Sequence, residues 1–206
     1  MASSEKQVAS TRIAIFASGK GSNAQKIIDY FSAPSLPGES DFEKRKNASV
    51  ALIVSNNPGA GVLNIAKKEN IPFLVIERNK FYEDGYLSFL KESGIDIIVL
   101  AGFMWKVPPI LIKAFPNRII NIHPALLPKY GGKNMYGDHV HAAVINAREK
   151  ESGITIHYVD ELYDHGKIIF QAKCTVDNNE TLESLANKIH TLEHEHYPKV
   201  IAGMLI

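Results

Sequence analysis

Five short runs of β-branched and aliphatic residues punctuate the chain: "RIAIFA" (12–17), "ASVALIVS" (48–55), "FLVI" (73–76), "IDIIVLA" (95–101) and "RIINI" (118–122). A strand with one wet face alternates apolar and polar residues, whereas a strand covered on both faces reads as a near-continuous apolar run. Between the runs, apolar residues recur at helical spacing in Ser22–Phe31, "GAGVLNIAKKEN", Phe81–Glu92 and "PPILIKAF". Strands alternating with helices predict right-handed βαβ crossovers and a Rossmann-like α/β fold, an open and mostly parallel sheet.

Beyond residue 150 the pattern changes. "SGITIHYVD" alternates residue by residue, and "GKIIFQAKCTV" is a natural partner for it, which predicts an antiparallel C-terminal hairpin extension. A long C-terminal helix follows, roughly Leu182 to Ala202, with Thr181 as its cap. The 206 residues suit one domain spanning 1–206 and leave little room for a second. "MASSEKQVAS" has no apolar core, so residues 1–11 read as a flexible extension rather than a secretion signal. The sequons at Asn47 and Asn179 then carry no weight. "SAPSLPGESDFEKRKN" (32–47) is a polar, proline-containing loop whose order composition does not decide.

Charge is nearly balanced, at +1, with no basic block of the kind that phosphate backbones require, which argues against a nucleic-acid partner. No apolar stretch approaches the ~20 residues of a membrane span. The single cysteine, Cys174, excludes an intrachain disulfide framework and fits a reducing, cytoplasmic setting. A monomer and a homodimer are equally compatible with these features.

"SGKGSNA" (18–24) joins the first strand to the first helix. Its glycines permit a tight turn, and a helix N-terminus offers free N–H groups and partial positive charge, a site suited to a phosphate. The loose dinucleotide pattern G-x-G-x-x-A is met, but the second strand ends in Ser55, Asn56 and Asn57, not in the acid that would hold a ribose. Lys20 is followed by Gly21, so the turn is not a Walker loop. A phosphate monoester is the better reading. "HTLEH" (190–194) matches a zinc pattern, yet a helix face carrying one useful carboxylate, Glu193, is the preferred reading, with no metal.

"NIHPALLPKYGG" (121–132) leaves the fifth run. Asn121 and His123 lie two apart, hence on one side of a strand, at the carboxyl end where open α/β sheets place ligands. An amide and an imidazole there can polarise a carbonyl oxygen and shuttle a proton. Such a histidine benefits from a carboxylate, and "DELYDHGK" (160–167) offers Asp160, Glu161 and Asp164 without choosing among them.

Together these segments resemble the folate-dependent glycinamide ribonucleotide transformylases of purine synthesis. The resemblance runs from about residue 12 to 201, with "FASGKGSN", "VLAGFM", "NIHPALLPKYGG", "DELYDHG" and "HTLEHEHYP" in the family's order. It implies Asn121, His123 and Asp164 as the catalytic residues. Gly21, Ser22, Asn23 and Glu193 would hold the ribonucleotide, by its phosphate and its amine. Met104, Trp105, Lys106, Val107, Asn121, Asp160, Glu161, Leu162, Tyr163 and Asp164 would line the folate pocket. The implied reaction moves formyl from 10-formyltetrahydrofolate, a cosubstrate, to the amine of glycinamide ribonucleotide, with Asp164 raising the pKa of a protonated His123. A related formyltransferase with another amine acceptor, or a formyltetrahydrofolate hydrolase, is the alternative. The chain departs from the family pattern at Trp105 and Lys106, at Gly131, in the longer "GGKNMYGDHVH" and at His165.

Overall fold

Each of the five apolar runs is a strand, and the two later segments pair as predicted. The computed structural model describes residues 10–34 and 47–205. In chain order the elements are β1 (Thr11–Phe16), α1 (Ser22–Ser32), β2 (Ala48–Ser55), α2 (Gly61–Lys68), β3 (Phe73–Val75), α3 (Arg78–Glu83), α4 (Leu87–Glu92), β4 (Ile97–Leu100), α5 (Pro109–Ala114), β5 (Ile119–His123), α6 (Asp138–Asn146), β6 (Glu151–Tyr158), β7 (Ile168–Thr175) and α7 (Leu182–Met204). The N-terminal extension falls outside the described residues except for Ser10 and Thr11, and Thr11 already belongs to β1. Most of the 32–47 loop also lies outside them.

The seven strands form one sheet in the order β3-β2-β1-β4-β5-β6-β7. β1 to β5 pair in parallel, and β5-β6 and β6-β7 are antiparallel. Strand order reverses at β1, which lies between β2 and β4, so a crevice opens there at the carboxyl ends. The period of two along each buried strand sends alternate side chains to opposite faces. Ile13, Ile15, Val99, Ile120, Ile122 and Ile156 pack under α1, α2, α6 and α7. Ala14, Phe16, Leu52, Ile98 and Ile119 pack against Phe81, Leu90 and Leu111 of α3, α4 and α5.

The single helix expected over Phe81–Glu92 is two, α3 and α4, and the first begins earlier, at Arg78. The break falls at Gly85 (φ +63°) and Tyr86 (φ +55°). A side chain at Gly85 would put a Cβ 2.8 Å from Leu111 Cγ, so the chain passes too close to α5 for a helix to run straight through. β5 runs one residue further than the apolar run and includes His123, which is therefore held by strand geometry rather than by a loop.

α7 begins with a capping box: Thr181 Oγ1 accepts the Ser184 N–H at 3.1 Å and Ser184 Oγ accepts the Thr181 N–H at 3.0 Å. Beside it Glu180 accepts from the Asp177 N–H (3.0 Å), from Lys188 (2.6 Å) and from the Ser184 hydroxyl. These donors, the Asp177 amide foremost, pull the Glu180 carboxyl down to about 2. At the far end Tyr197, fully buried, donates to the carbonyls of Leu100 (2.9 Å) and Ile120 (3.3 Å). It ties α7 to the strand ends that carry the site.

A carboxyl held below its unfolded value contributes stability above about pH 4.5 and loses it as pH falls toward 2. Glu180→Gln is expected to lower the Tm by about 2–4 °C at neutral pH, the shift that ~1 kcal/mol produces in a chain of this size. Thermal scans across the acid range should show that gap closing. A gap independent of pH would mean that the charge of Glu180 is not its source.

Candidate active site

A cavity of about 530 Å³ opens at the crevice, walled by the turns after β1, β4 and β5 and by α6, α7 and the loop after β6. Its phosphate side is the β1–α1 turn. Gly21 has φ +86°, and a Cβ there would lie 2.9 Å from Val62 and Ile65 of α2, so only glycine fits. α1 has no side-chain cap and no acid in its first turn, which leaves its leading N–H groups open to an anion. The turn is braced from the neighbouring loop: Ser18 Oγ accepts the Met104 N–H at 2.8 Å, and the Ser18 N–H donates to Gly102 O at 3.0 Å.

Asn23 reaches from this turn to α7, donating Nδ2–H to Glu193 Oε2 at 2.9 Å. Glu193 is buried, and burial raises its pKa against the opposing pull of Asn23 and His190. Asn23 Oδ1 is also buried and has no partner. Two acceptors thus face the cavity side by side with too few donors between them. An amine is the group that would satisfy both. His190 and His194 stack on each other, rings 6.1 Å apart and 9° from parallel.

On the other wall, Asn121 and His123 emerge from one side of β5. His123 Nε2 lies 2.8 Å from Tyr130 O. A carbonyl only accepts, so Nε2 carries a proton and Nδ1 is the nitrogen left for chemistry. Nδ1 is 3.5 Å from Asp164 Oδ2. Asp164 sits in a left-handed conformation (φ +52°), unfavourable for a residue with a Cβ, and is held by the Gly132 N–H donating to Oδ2 at 2.9 Å. Its other oxygen is 3.5 Å from Asn121 Nδ2. Burial opposes its charge, but His157, His123 and the Gly132 amide lower its pKa and keep it ionised.

His123 departs from the sequence expectation. Burial of the ring outweighs the attraction of Asp164, which raises the pKa as expected, and that of the Tyr130 carbonyl; nearby His157 adds to the lowering, and the net shift is downward. At neutral pH the free protein holds it as a neutral imidazole.

Among the three loop acids the geometry distinguishes clearly. Asp160 is committed to the loop itself, accepting the Leu162 N–H (2.8 Å) and facing His165 Nδ1 (2.8 Å). Glu161 is exposed and does not line the cavity, so it is not brought to the site. Asp160, Leu162, Tyr163 and Asp164 do line it, as do Met104, Trp105, Lys106 and Val107, and Gly21, Ser22, Asn23 and Glu193 on the opposite side. The departures at 105 and 106 form the rim. Arg78 lies over Trp105 (5.8 Å) and Tyr82 (6.0 Å), and Lys106 lies over Tyr163 (5.8 Å).

His157 was missed by sequence reasoning. It pairs with Asn121 across the β5-β6 ladder, donates Nδ1–H to Tyr158 O (2.8 Å) and receives Asn121 Nδ2–H at Nε2 (3.1 Å). The signal was present: in "SGITIHYVD" His157 falls on the same side of its strand as Thr155, and an antiparallel register brings it opposite Asn121.

Comparison with known proteins agrees with this geometry. The family model described as formyl transferase matches residues 11–201. A chloroplastic phosphoribosylglycinamide formyltransferase of Arabidopsis thaliana is 39% identical over 199 residues, covering 94% of this chain and 65% of that protein. The phosphoribosylglycinamide formyltransferase of Bacillus subtilis is 36% identical over 94% of each chain. The crystal structure of phosphoribosylglycinamide formyltransferase from Bacillus halodurans superposes with a TM-score of 0.81 at 39% identity, covering 94% of this chain and 95% of that one. With the match spanning both walls of the cavity, this chain belongs to the formyl transferase family.

Proposed function

We propose that this protein transfers the formyl group of 10-formyltetrahydrofolate to the amine of glycinamide ribonucleotide. The observation that carries the reading is the division of one cavity into two halves. An anion turn linked through Asn23 to the buried Glu193 faces a neutral imidazole flanked by an amide and a carboxylate. The first half suits a small phosphorylated amine, and the second suits acyl transfer to it. The relatives named above carry the same activity in their names.

The acceptor's phosphate would lie on the open N–H groups of Gly21, Ser22 and Asn23, and its amine between Glu193 and Asn23 Oδ1. The pterin and benzoyl parts of the formyl donor would pack on Val107, Met104 and the 160–164 loop. Its carboxylate tail would leave past the cationic rim of Arg78 and Lys106. As the amine nitrogen bonds to the formyl carbon, charge develops on the formyl oxygen. The Asn121 amide can receive that oxygen by exchanging its 3.5 Å contact with Asp164, which is at the outer limit of a hydrogen bond. His123 Nδ1, unprotonated, takes the proton from the attacking nitrogen. Asp164 stabilises the imidazolium formed, and the proton returns to the departing folate nitrogen as its bond to the formyl carbon breaks. His157 keeps the Asn121 amide aimed by holding one of its two hydrogens.

The experiment is a steady-state assay with purified protein, both substrates and the His123→Ala variant, following loss of formyl-folate and formation of formylated ribonucleotide separately. Acceptor-dependent transfer, reduced ~10²–10⁴-fold in the variant, is expected. Folate turnover that needs no acceptor would instead make the protein a hydrolase. Because Asp164 raises the His123 pKa against the burial that lowers it, Asp164→Asn should move the acid limb of kcat/KM to lower pH while reducing kcat. An acid limb that stays in place would remove Asp164 from that role. Glu193→Gln should raise the KM for the acceptor while leaving that for the formyl donor within about twofold, because it removes the carboxyl that would receive the amine. An equal rise in both would place Glu193 outside the amine site.

A further inference from the structure

One side chain of the cavity is assigned no part in the reaction described above. His141 lies on α6 between the buried residues Val140 and Val144, is itself only 3% exposed, and makes no hydrogen bond. Its Nδ1 is buried with no partner, and its ring lines the cavity. Its charged and titratable neighbours are Asp138 at the start of the same helix, His190 on α7 and His123 at the end of β5. His141 therefore stands between the two halves of the site. His190 is one helical turn from Glu193 on the acceptor side, and His123 is the nitrogen base on the transfer side.

A buried imidazole without partners costs folding free energy, and a leucine or phenylalanine would suit this helix face better. Polar groups kept at such a cost inside a binding cavity are accounted for when a ligand supplies the missing partner. A ligand cannot reach Nδ1, which is shut off in the core, but it can meet Nε2, the ring nitrogen that also has no partner and is not shut off with it. A ribonucleotide whose phosphate rests on the β1–α1 turn and whose amine approaches His123 carries its sugar through the space between, and the sugar oxygens are the only polar atoms in that part of it. We propose that His141 is a substrate-positioning residue that hydrogen-bonds a sugar oxygen of the acceptor, fixing the amine's distance from His123. This rests on the acceptor being a ribonucleotide, as argued under the proposed function.

The test is calorimetric binding of glycinamide ribonucleotide to the whole protein and to His141→Phe and His141→Gln, with thermal unfolding of each. The Phe variant should bind the acceptor at least ~10-fold more weakly with an unchanged or higher Tm, because it removes an unpartnered polar atom. The Gln variant, which can still donate, should recover part of the affinity. Its kcat/KM for the acceptor should fall in parallel with binding, with the KM for the formyl donor unmoved. Acceptor affinity in the Phe variant within twofold of the parent would overturn the inference. So would equal loss in Phe and Gln variants accompanied by a lowered Tm, which is the mark of packing damage. Failure of the parent protein to bind the ribonucleotide at all would overturn the acceptor reading itself, a distinguishable result.

Discussion

The site depends on where the Asp164 carboxylate is held. Three groups meet at its two oxygens: the amide of Gly132 from the loop after β5, and Asn121 and His123 from β5 itself. None of these contacts alone would hold a residue at φ +52°. The Gly132 bond is the short one, and it leaves the other two contacts long, at 3.5 Å. That looseness suits catalysis. A carboxylate already clamped to His123 would stabilise the imidazolium before any proton had moved, whereas one standing slightly off can do so as the charge forms.

The same balance between burial and charge recurs around the cavity. Burial holds His123 and His141 below the ordinary imidazole value and pushes Glu193 above the ordinary carboxylate value. Each is thereby biased toward its neutral form in the free protein. Stability comes from elsewhere, from the double-sided sheet core and from the Thr181–Ser184–Glu180–Lys188 network at the start of α7. The protein separates the groups that hold it together from the groups that act.

Much of this was legible in the residues. Continuous apolar runs announced strands covered on both faces, and the spacing of Asn121 and His123 placed them on one side of β5, as found. What escaped was tertiary. The passage of α5 close behind Gly85 divides a helix whose apolar spacing reads as continuous. Spacing alone leaves Asp160, Glu161 and Asp164 open and only the family resemblance points to Asp164; the physical reason is a loop geometry in which Asp160 is used up by Leu162 and His165. His157 needed the β5-β6 register before its role beside Asn121 became visible. The direction of the His123 shift was misjudged for a physical reason: a neighbouring carboxylate is visible in sequence, but the depth of burial that outweighs it is not.

The central claim is that His123 waits as a neutral imidazole, protonated on Nε2 and open at Nδ1. Nitrogen-15 NMR of the histidine side chains, followed through a pH titration of the unliganded protein, reads both properties directly. The account predicts an Nε2–H tautomer for His123 titrating below the ordinary value of about 6.5, with Asp164→Asn lowering it further. A His123 that remains doubly protonated above neutral pH, or that carries its proton on Nδ1, would contradict the account and make the residue a standing cation instead of a shuttle.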